Sequence, residues 1–210
     1  MNGFEKQELE TQGMMSRLFG SKPGHNALVE INNFLAESTA ATELTEEIVS
    51  NFIKNWGAKF DSSNIEYRSS MYRKVADHVY ISAVSKDDPV FEETRHLAQV
   101  LELPEKLQRL ADNGAKKVAY FSRCRKIISG EEPLTISEIN NVFGYDYEDG
   151  YDIRVQVFHD YLNKKFDEIA EQQRFSPDEE TALRDICTTL DIPYEFKPNI
   201  QTALDKYSYL

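Results

Sequence analysis

Hydrophobic residues recur along this chain every three or four positions, a spacing that places them on one face of an α-helix. The pattern is clear at residues 26–37, 45–56 and 63–84, and it returns between Pro89 and Leu103. Alternation of the kind that marks a half-buried strand is scarce. We therefore predict an all-α protein, a multi-helix bundle of about ten short to medium helices.

Start and stop signals divide the second half of the chain. Pro104 opens a short helix that Asn113-Gly114 ends, because asparagine and glycine favour turns. Thr135 and Ser176 each begin a capping box, in which a glutamate three residues later bonds back to the cap amide. The further predicted helices are 115–128, 135–142, 152–172, 176–190 and one from about 198.

The beginning of the 152–172 pattern permits a second interpretation. Ile153, Val155 and Val157 alternate with polar residues, as they would in a strand. The longer repeat through Tyr161, Leu162, Phe166 and Ile169 is helical, and we favour a helix throughout.

Three regions are predicted along the chain. Residues 1–24 form a mobile or loosely packed N-terminal arm, residues 25–130 a helical subdomain and residues 131–210 another. Paired glutamates lead into an apolar helix and then a proline in both subdomains, ending in Leu-Glu-Leu-Pro in the first and Leu-Asp-Ile-Pro in the second. The shared order of residues suggests that the two subdomains are related.

The composition restricts the kinds of partner. A formal net charge of −12 over 210 residues argues against bulk binding to nucleic acid, which requires a positive surface. No apolar run approaches the roughly 20 residues of a membrane-spanning helix, and Met1–Ser21 lacks the pattern of a secretory signal. We therefore expect a cytoplasmic protein without a transmembrane segment.

Cys124 and Cys187 stand in helical patterns and are interpreted as buried hydrophobic residues.

The N-terminal arm carries one apolar stretch, Met14-Met15-Ser16-Arg17-Leu18-Phe19. Such a stretch permits peripheral membrane contact or docking on a partner. Packing of the arm back onto the body is the preferred interpretation.

One basic segment interrupts the acidic background. It contains Lys116, Lys117, Arg123, Arg125 and Lys126, and no carboxylate occurs from Asn113 through Gly130. On a helix Lys116, Arg123 and Lys126 share a face with Tyr120, a pattern that fits a site for an anion, a nucleic acid or an acidic partner. A solvated helix face that pairs with the protein's own carboxylates is the preferred interpretation.

A tyrosine-rich acidic tract follows at residues 145–152. Tyr145, Tyr147 and Tyr151 are candidate partner-binding residues, because tyrosine combines apolar area with a polar tip. Calcium binding is not predicted, because the ligand positions of an EF-hand loop are not filled. A solvated turn whose tyrosines fold inward is the preferred interpretation.

Paired carboxylates suggest a hard cation in a second interpretation. Clustered oxygens are what divalent cations require, and the candidate ligands are Glu92, Glu93, Asp178, Glu179 and Glu180. All five lie at predicted helix starts, where acidic residues also complement the helix dipole and cap free amides. We prefer that structural interpretation, and no cofactor is expected unless a divalent cation binds.

The last part of the chain carries a recognisable order of residues: Glu168-Ile169-Ala170, then Arg174-Phe175-Ser176-Pro177-Asp178-Glu179-Glu180, then Leu183, Ile186, Leu190 and Ile192. Together with the final helix, residues 168–210 resemble the helical repeat of TerB-like (tellurite-resistance) domains. The resemblance implies an all-α module, a metal-associated acidic cluster, and a role in bacterial stress or membrane-associated systems.

Three functions follow in order of preference. The first is a non-enzymatic helical protein-interaction module of a bacterium. The second is a TerB-like divalent-cation-binding protein. The third is an enzyme with a composite carboxylate–histidine site, for which the sequence offers no catalytic or cofactor-binding motif.

Overall fold

The computed structural model describes residues 3–11 and 24–208, and within these ranges the regular structure is entirely helical. It comprises nine α-helices and one short 3₁₀ turn (Ala41–Glu43). The helices are α1 (His25–Glu37), α2 (Glu46–Trp56), α3 (Ile65–Ser82), α4 (Phe91–Val100), α5 (Glu105–Ser129), α6 (Ile136–Phe143), α7 (Tyr151–Gln172), α8 (Pro177–Thr189) and α9 (Pro198–Tyr207). The prediction of an all-α multi-helix protein is confirmed. The helical interpretation of 153–157 is confirmed as well.

Local signals in the sequence set several helix ends. The Thr135 hydroxyl accepts from the Glu138 amide at 3.3 Å, and the Glu138 carboxylate accepts from the Thr135 amide at 2.8 Å. Ser176 and Glu179 repeat this capping box at the start of α8. Gly57 ends α2 with φ of 62°, a left-handed conformation that glycine adopts without steric cost.

Helix α5 corrects the prediction of two separate helices at 104–111 and 115–128. It runs without interruption from Glu105 to Ser129, through the Asn113-Gly114 pair. Ala111, Ala115 and Ala119 lie one turn apart along it, and each of them is buried. Tertiary packing of this stripe outweighs the cost of glycine in a helix interior, which is only about 1 kcal/mol.

The chain forms two compact units. Unit 1 contains Met1–Ala83 and Asp87–Lys116, and unit 2 contains Val84–Lys86 and Lys117–Leu210. The division falls inside α5, earlier than the predicted boundary between 130 and 131.

Unit 1 has an apolar core built mainly from α1 to α4. Leu28, Ile31 and Leu35 of α1 are almost fully buried with Val75 and Val79 of α3. The described part of the predicted N-terminal arm, residues 3–11, is held against this unit, and the Phe4 side chain is buried in its core. Residues 12–23, with the apolar stretch Met14–Phe19, lie outside the described residues.

Unit 2 contains both cysteines in its core. Cys124 and Cys187 are free and buried, as predicted. Burial raises the pKa of the Cys124 thiol to about 12 and that of Cys187 to about 11. Both thiols are therefore protonated at neutral pH and serve as small apolar groups.

A tyrosine–carboxylate pair joins α3 to α5 within unit 1. The Tyr72 hydroxyl donates to Asp112 Oδ1 at 2.9 Å, and Tyr72 itself is buried. Burial is the main cause that raises the pKa of Asp112, and the Tyr72 hydrogen bond and Lys116 offset it only in part. The ionised form of Asp112 is thus less favourable in the folded protein than in the unfolded chain.

Asp112→Asn is expected to stabilise the protein at neutral pH. The amide oxygen preserves the acceptor for Tyr72, and the substitution removes a charge whose burial costs free energy. Because the folded pKa is raised, the wild type binds more protons folded than unfolded, and its stability falls as pH rises from the unfolded pKa through the folded pKa. The urea midpoint of Asp112→Asn should therefore exceed that of the wild type by more at pH 7 than at pH 4. A constant difference at both pH values would contradict this.

Candidate functional site

The C-terminal half of α5 presents two contrasting faces in unit 2. Tyr120, Arg123 and Cys124 point inward and are almost fully buried. Val118, which is 52% exposed, and Phe121 lie on the opposite face, and Arg125 follows them at helical spacing. An exposed valine beside a half-buried phenylalanine is an apolar surface without a partner in the described structure.

Arg123 requires a correction to the predicted basic face. Its side chain is only 4% exposed, lies 3.9 Å from the Glu132 carboxylate and stands over the Phe143 ring. The prediction failed because a helical wheel gives relative angles but not which face the core covers. Lys126 is exposed in unit 2, whereas Lys116 belongs to unit 1, where its ammonium lies 5.6 Å from the centre of the Tyr80 ring.

An open groove of about 610 Å³ lies between α5 and α7. Ile128 of α5 with Val157 and Tyr161 of α7 supply its apolar lining, and Arg125 and Lys164 are among the polar residues around it. On α7 the lining residues Val157, Asp160, Tyr161 and Lys164 follow the i, i+3, i+4, i+7 spacing of a single helix face.

A second groove, of about 430 Å³, adjoins the first on the outer face of α5. It is lined by Val118, Phe121 and Lys126, and it shares Arg125 and Ser129 with the first groove. We call the two together the α5–α7 surface.

The charge of this surface is opposite to that of the protein. Arg125, Lys126 and Lys164 have exposed side chains, and none of them forms a salt bridge with a carboxylate of the described residues. The carboxylates that line the grooves are Asp160 and Glu131. A net positive, partly apolar strip therefore interrupts a protein of charge −12.

Comparisons with protein-family models, curated proteins and solved structures find no match. The function of the α5–α7 surface is therefore inferred from its own chemistry.

The predicted tyrosine site is built around a buried arginine. Arg154 is fully buried, donates from Nη2 to the Tyr147 carbonyl at 3.1 Å, and lies 4.7 Å from the centre of the Tyr147 ring. Tyr151 packs on Tyr147, and Tyr145 packs on Tyr120. The three candidate tyrosines thus have packing partners within unit 2, and Tyr147 remains 43% exposed.

The candidate metal ligands have structural partners. Glu92 pairs with Arg95, and Glu93 accepts from the Ala41 amide at 3.0 Å. Glu179 accepts from the amide of the N-cap residue Ser176 at 2.7 Å, and Glu180 pairs with Arg184. Asp178 is exposed in the first turn of α8, where it complements the helix dipole. Across residues 3–11 and 24–208 no group of three or more His, Cys, Asp or Glu side chains is arranged to hold a metal ion.

None of the described helices is both long enough and apolar enough to cross a bilayer.

The sequence predicts the basic segment of α5 but not that a face of α7 lies beside it. Arg125 was part of the predicted basic segment, while Lys164 and the Val157–Tyr161 stripe were assigned only to a helix. Their i, i+3, i+4, i+7 spacing was readable in the sequence, but a stripe of this kind normally faces a core.

Proposed function

We propose that this chain is a protein-interaction module whose α5–α7 surface binds an acidic amphipathic helix of another protein. The observation that carries the proposal is the open apolar groove flanked by unpaired cations in an otherwise acidic protein. It supports an interaction module over an enzyme, because an open groove with a positive rim provides a contact surface and no converging catalytic groups.

The shape of the groove favours a helix as the bound element. Two helix faces form its walls, and a third helix packs naturally into the space between two others. The α7 stripe from Val157 to Lys164 covers about two helical turns, or about 10 Å. A partner helix with two turns of apolar residues would cover Ile128 and Tyr161, whereas Val157 is only 1% exposed and contributes little surface.

The charges at the rim favour carboxylates on the flanks of that helix. Arg125 and Lys164 flank the first groove, and Lys126 lines the second. Complementary charge at a rim accelerates association and excludes partners of the wrong sign. The same charges repel basic segments, so discrimination between acidic and basic helices is the property to test.

The test uses the full chain and two synthetic helices of about five turns. Both carry leucines at helical spacing, with glutamates on the flanks of one and lysines on the flanks of the other. Calorimetric titration should detect binding of the glutamate peptide only. Arg125→Glu/Lys164→Glu should weaken that binding about tenfold or more, because both rim charges change sign.

Lys54→Glu/Lys106→Glu is the matched control. It changes the net charge equally, and both lysines are exposed residues of unit 1. Its affinity should stay within about twofold of wild type, because neither lysine lines the α5–α7 surface. Equal binding of the two peptides, or equal loss in both variants, would refute the proposal. Circular dichroism establishes that each variant is folded.

A further inference from the structure

Residues 4–10 form an extended strap that lies along α1 in unit 1. Apart from Phe4, the side chains of the strap are exposed. The strap nevertheless makes five hydrogen bonds to the side-chain amides of Asn26, Asn32 and Asn33. Helix α1 thus binds the strap mainly through its backbone, and the one α1 ion pair with a strap side chain, Lys6 with Glu37, is exposed to solvent.

Two of these asparagines bind the strap as a neighbouring β-strand would. Asn33 accepts from the Gln7 amide at 2.8 Å and donates to the Gln7 carbonyl at 2.9 Å. Asn26 does the same with Glu10, at 2.8 Å and 3.0 Å. A hydrogen-bonded pair in an antiparallel sheet exchanges the same two bonds, so each side-chain amide takes the place of a strand residue.

The spacing of the asparagines fits an extended chain. Asn26 and Asn33 are seven residues apart, which places them on one helix face about 10 Å from each other. Gln7 and Glu10 are three residues apart, and an extended chain covers about 10 Å over that interval. The strap runs antiparallel to α1. The spacing of Gln7 and Glu10 along the strap therefore matches the spacing of Asn33 and Asn26 along the helix.

Phe4 is the only buried side chain of the strap, and two exposed side chains add contacts: Gln7 accepts from the Tyr67 hydroxyl at 2.6 Å, and Lys6 pairs with Glu37. Phe4 is 8% exposed in the core of unit 1, and the Lys74 ammonium lies 4.9 Å from the centre of its ring. Asn32, which is buried, donates to the Glu5 carbonyl at 2.8 Å beside this anchor. Recognition therefore requires one aromatic residue followed by an extended backbone with free amides three and six residues later.

We propose that this face of α1 is a peptide-binding site that accepts, in place of the strap, an extended segment of another protein with an aromatic anchor. The strap occupies the site in cis and lowers its apparent affinity for a segment in trans. Because the bonds go to the backbone, many sequences satisfy the site, provided that no proline stands at the two bonded amides. The site is separate from the α5–α7 surface, and its test does not depend on that surface.

The experiment uses the full chain with Phe4→Ala, which removes the anchor of the strap. The probe is a labelled peptide with the sequence of residues 3–11. Fluorescence anisotropy should show binding to Phe4→Ala about tenfold or more tighter than to wild type, whose site is occupied in cis. Asn26→Ala/Asn33→Ala in the Phe4→Ala background should weaken that binding about tenfold, because four backbone hydrogen bonds are lost.

Two control peptides separate backbone recognition from side-chain recognition. A peptide with the residues at Glu5, Lys6, Glu8 and Leu9 shuffled should bind within about threefold of the original, because those side chains are exposed in the strap. A peptide with proline at Gln7 and Glu10 should bind about tenfold or more weakly, because both bonded amide hydrogens are absent.

Hydrogen exchange of the wild-type protein tests the proposal even if the Phe4→Ala variant does not fold. Excess probe peptide should accelerate hydrogen exchange at the Gln7 and Glu10 amides, because displacement of the strap exposes them. The proposal is overturned if the probe neither binds a folded Phe4→Ala chain nor accelerates that exchange, or if the proline peptide binds as well as the original. A third outcome would also overturn the proposal. If the wild type forms a dimer and Asn26→Ala/Asn33→Ala abolishes it, the segment bound in trans is the strap of a second copy and not a segment of another protein.

Discussion

Replacing Arg154 with alanine is expected to lower the free energy of unfolding of unit 2 by about 3 kcal/mol. Arg154 Nη1 donates to the Tyr120 hydroxyl at 2.9 Å, and that hydroxyl donates to Asn140 at 2.8 Å. Its Nη2 bonds the Tyr147 carbonyl, so one guanidinium joins α5, α7 and the loop before α7. Truncation leaves these groups without a donor and opens a cavity in a fully buried position.

Two further substitutions separate the contributions of volume and charge. No carboxylate of the described residues pairs with Arg154, so the burial of its charge is offset only by hydrogen bonds and tyrosine rings. Arg154→Met keeps most of the side-chain volume and removes the buried charge. Its free energy of unfolding should therefore fall by only about half as much as that of Arg154→Ala. Arg154→Lys should lose more stability than Arg154→Met, because an ammonium group is strongly hydrated and lacks the planar geometry with which a guanidinium bonds two acceptors.

Urea unfolding followed by circular dichroism measures the three variants. The expected order of stability is wild type, then Arg154→Met, then Arg154→Lys and Arg154→Ala. A lysine variant as stable as the wild type would show that the planar guanidinium is unnecessary. An alanine variant with an unchanged midpoint would show that the cluster contributes nothing to stability.

Gly150→Ala is expected to destabilise unit 2 by about 2–3 kcal/mol. Gly150 precedes α7 with φ of −100°, which any residue adopts, so the backbone is not the obstacle. The obstacle is Tyr120, because a Cβ at position 150 would lie 2.4 Å from its hydroxyl oxygen and 2.8 Å from a ring carbon. Tyr120 is fully buried and hydrogen-bonded on both sides of its hydroxyl, so its ring has nowhere to move.

Gly114→Ala is the matched control for this prediction. A Cβ at position 114 would also meet an atom too closely, at 2.0 Å, but that atom is the Nη1 end of the Arg73 side chain. The Arg73 side chain is 33% exposed and pairs with Asp77 through Nε, so the added Cβ would meet the flexible end of a partly exposed side chain and not a buried ring. Alanine favours a helix interior by up to about 1 kcal/mol over glycine, so Gly114→Ala should be neutral to stabilising. Equal losses at both positions in urea unfolding would contradict the steric explanation.

Arg123 illustrates which properties of the candidate site the sequence predicts and which it does not. Lys116, Arg123 and Lys126 were grouped correctly as residues of one helix, but Arg123 faces the core with Glu132. Arg125, two residues later, faces the grooves together with Lys164 of α7. Periodicity gives the angle between two side chains on a helix, and only the packing of the other helices gives the direction of the core.

Helix α5 shows the same division for the fold. Asn113-Gly114 is a stop signal by local propensity, yet the helix continues because Ala111, Ala115 and Ala119 pack as one buried stripe. Packing contributes several kcal/mol along such a stripe, which exceeds the cost of one glycine. By contrast, Thr135 and Ser176 began helices as predicted, because a capping box satisfies its own backbone amides within four residues.

The sequence alone determined the properties that depend on neighbours along the chain. These are the helical class, most helix ends, the excess of acidic residues at helix starts and the basic segment of α5. Tertiary structure alone decided which cation is buried, where two helix faces leave a groove open, and that the asparagines of α1 meet the backbone of residues 5–10. Those outcomes depend on groups far apart in the chain, whose contact free energies exceed local preferences only after the chain has folded.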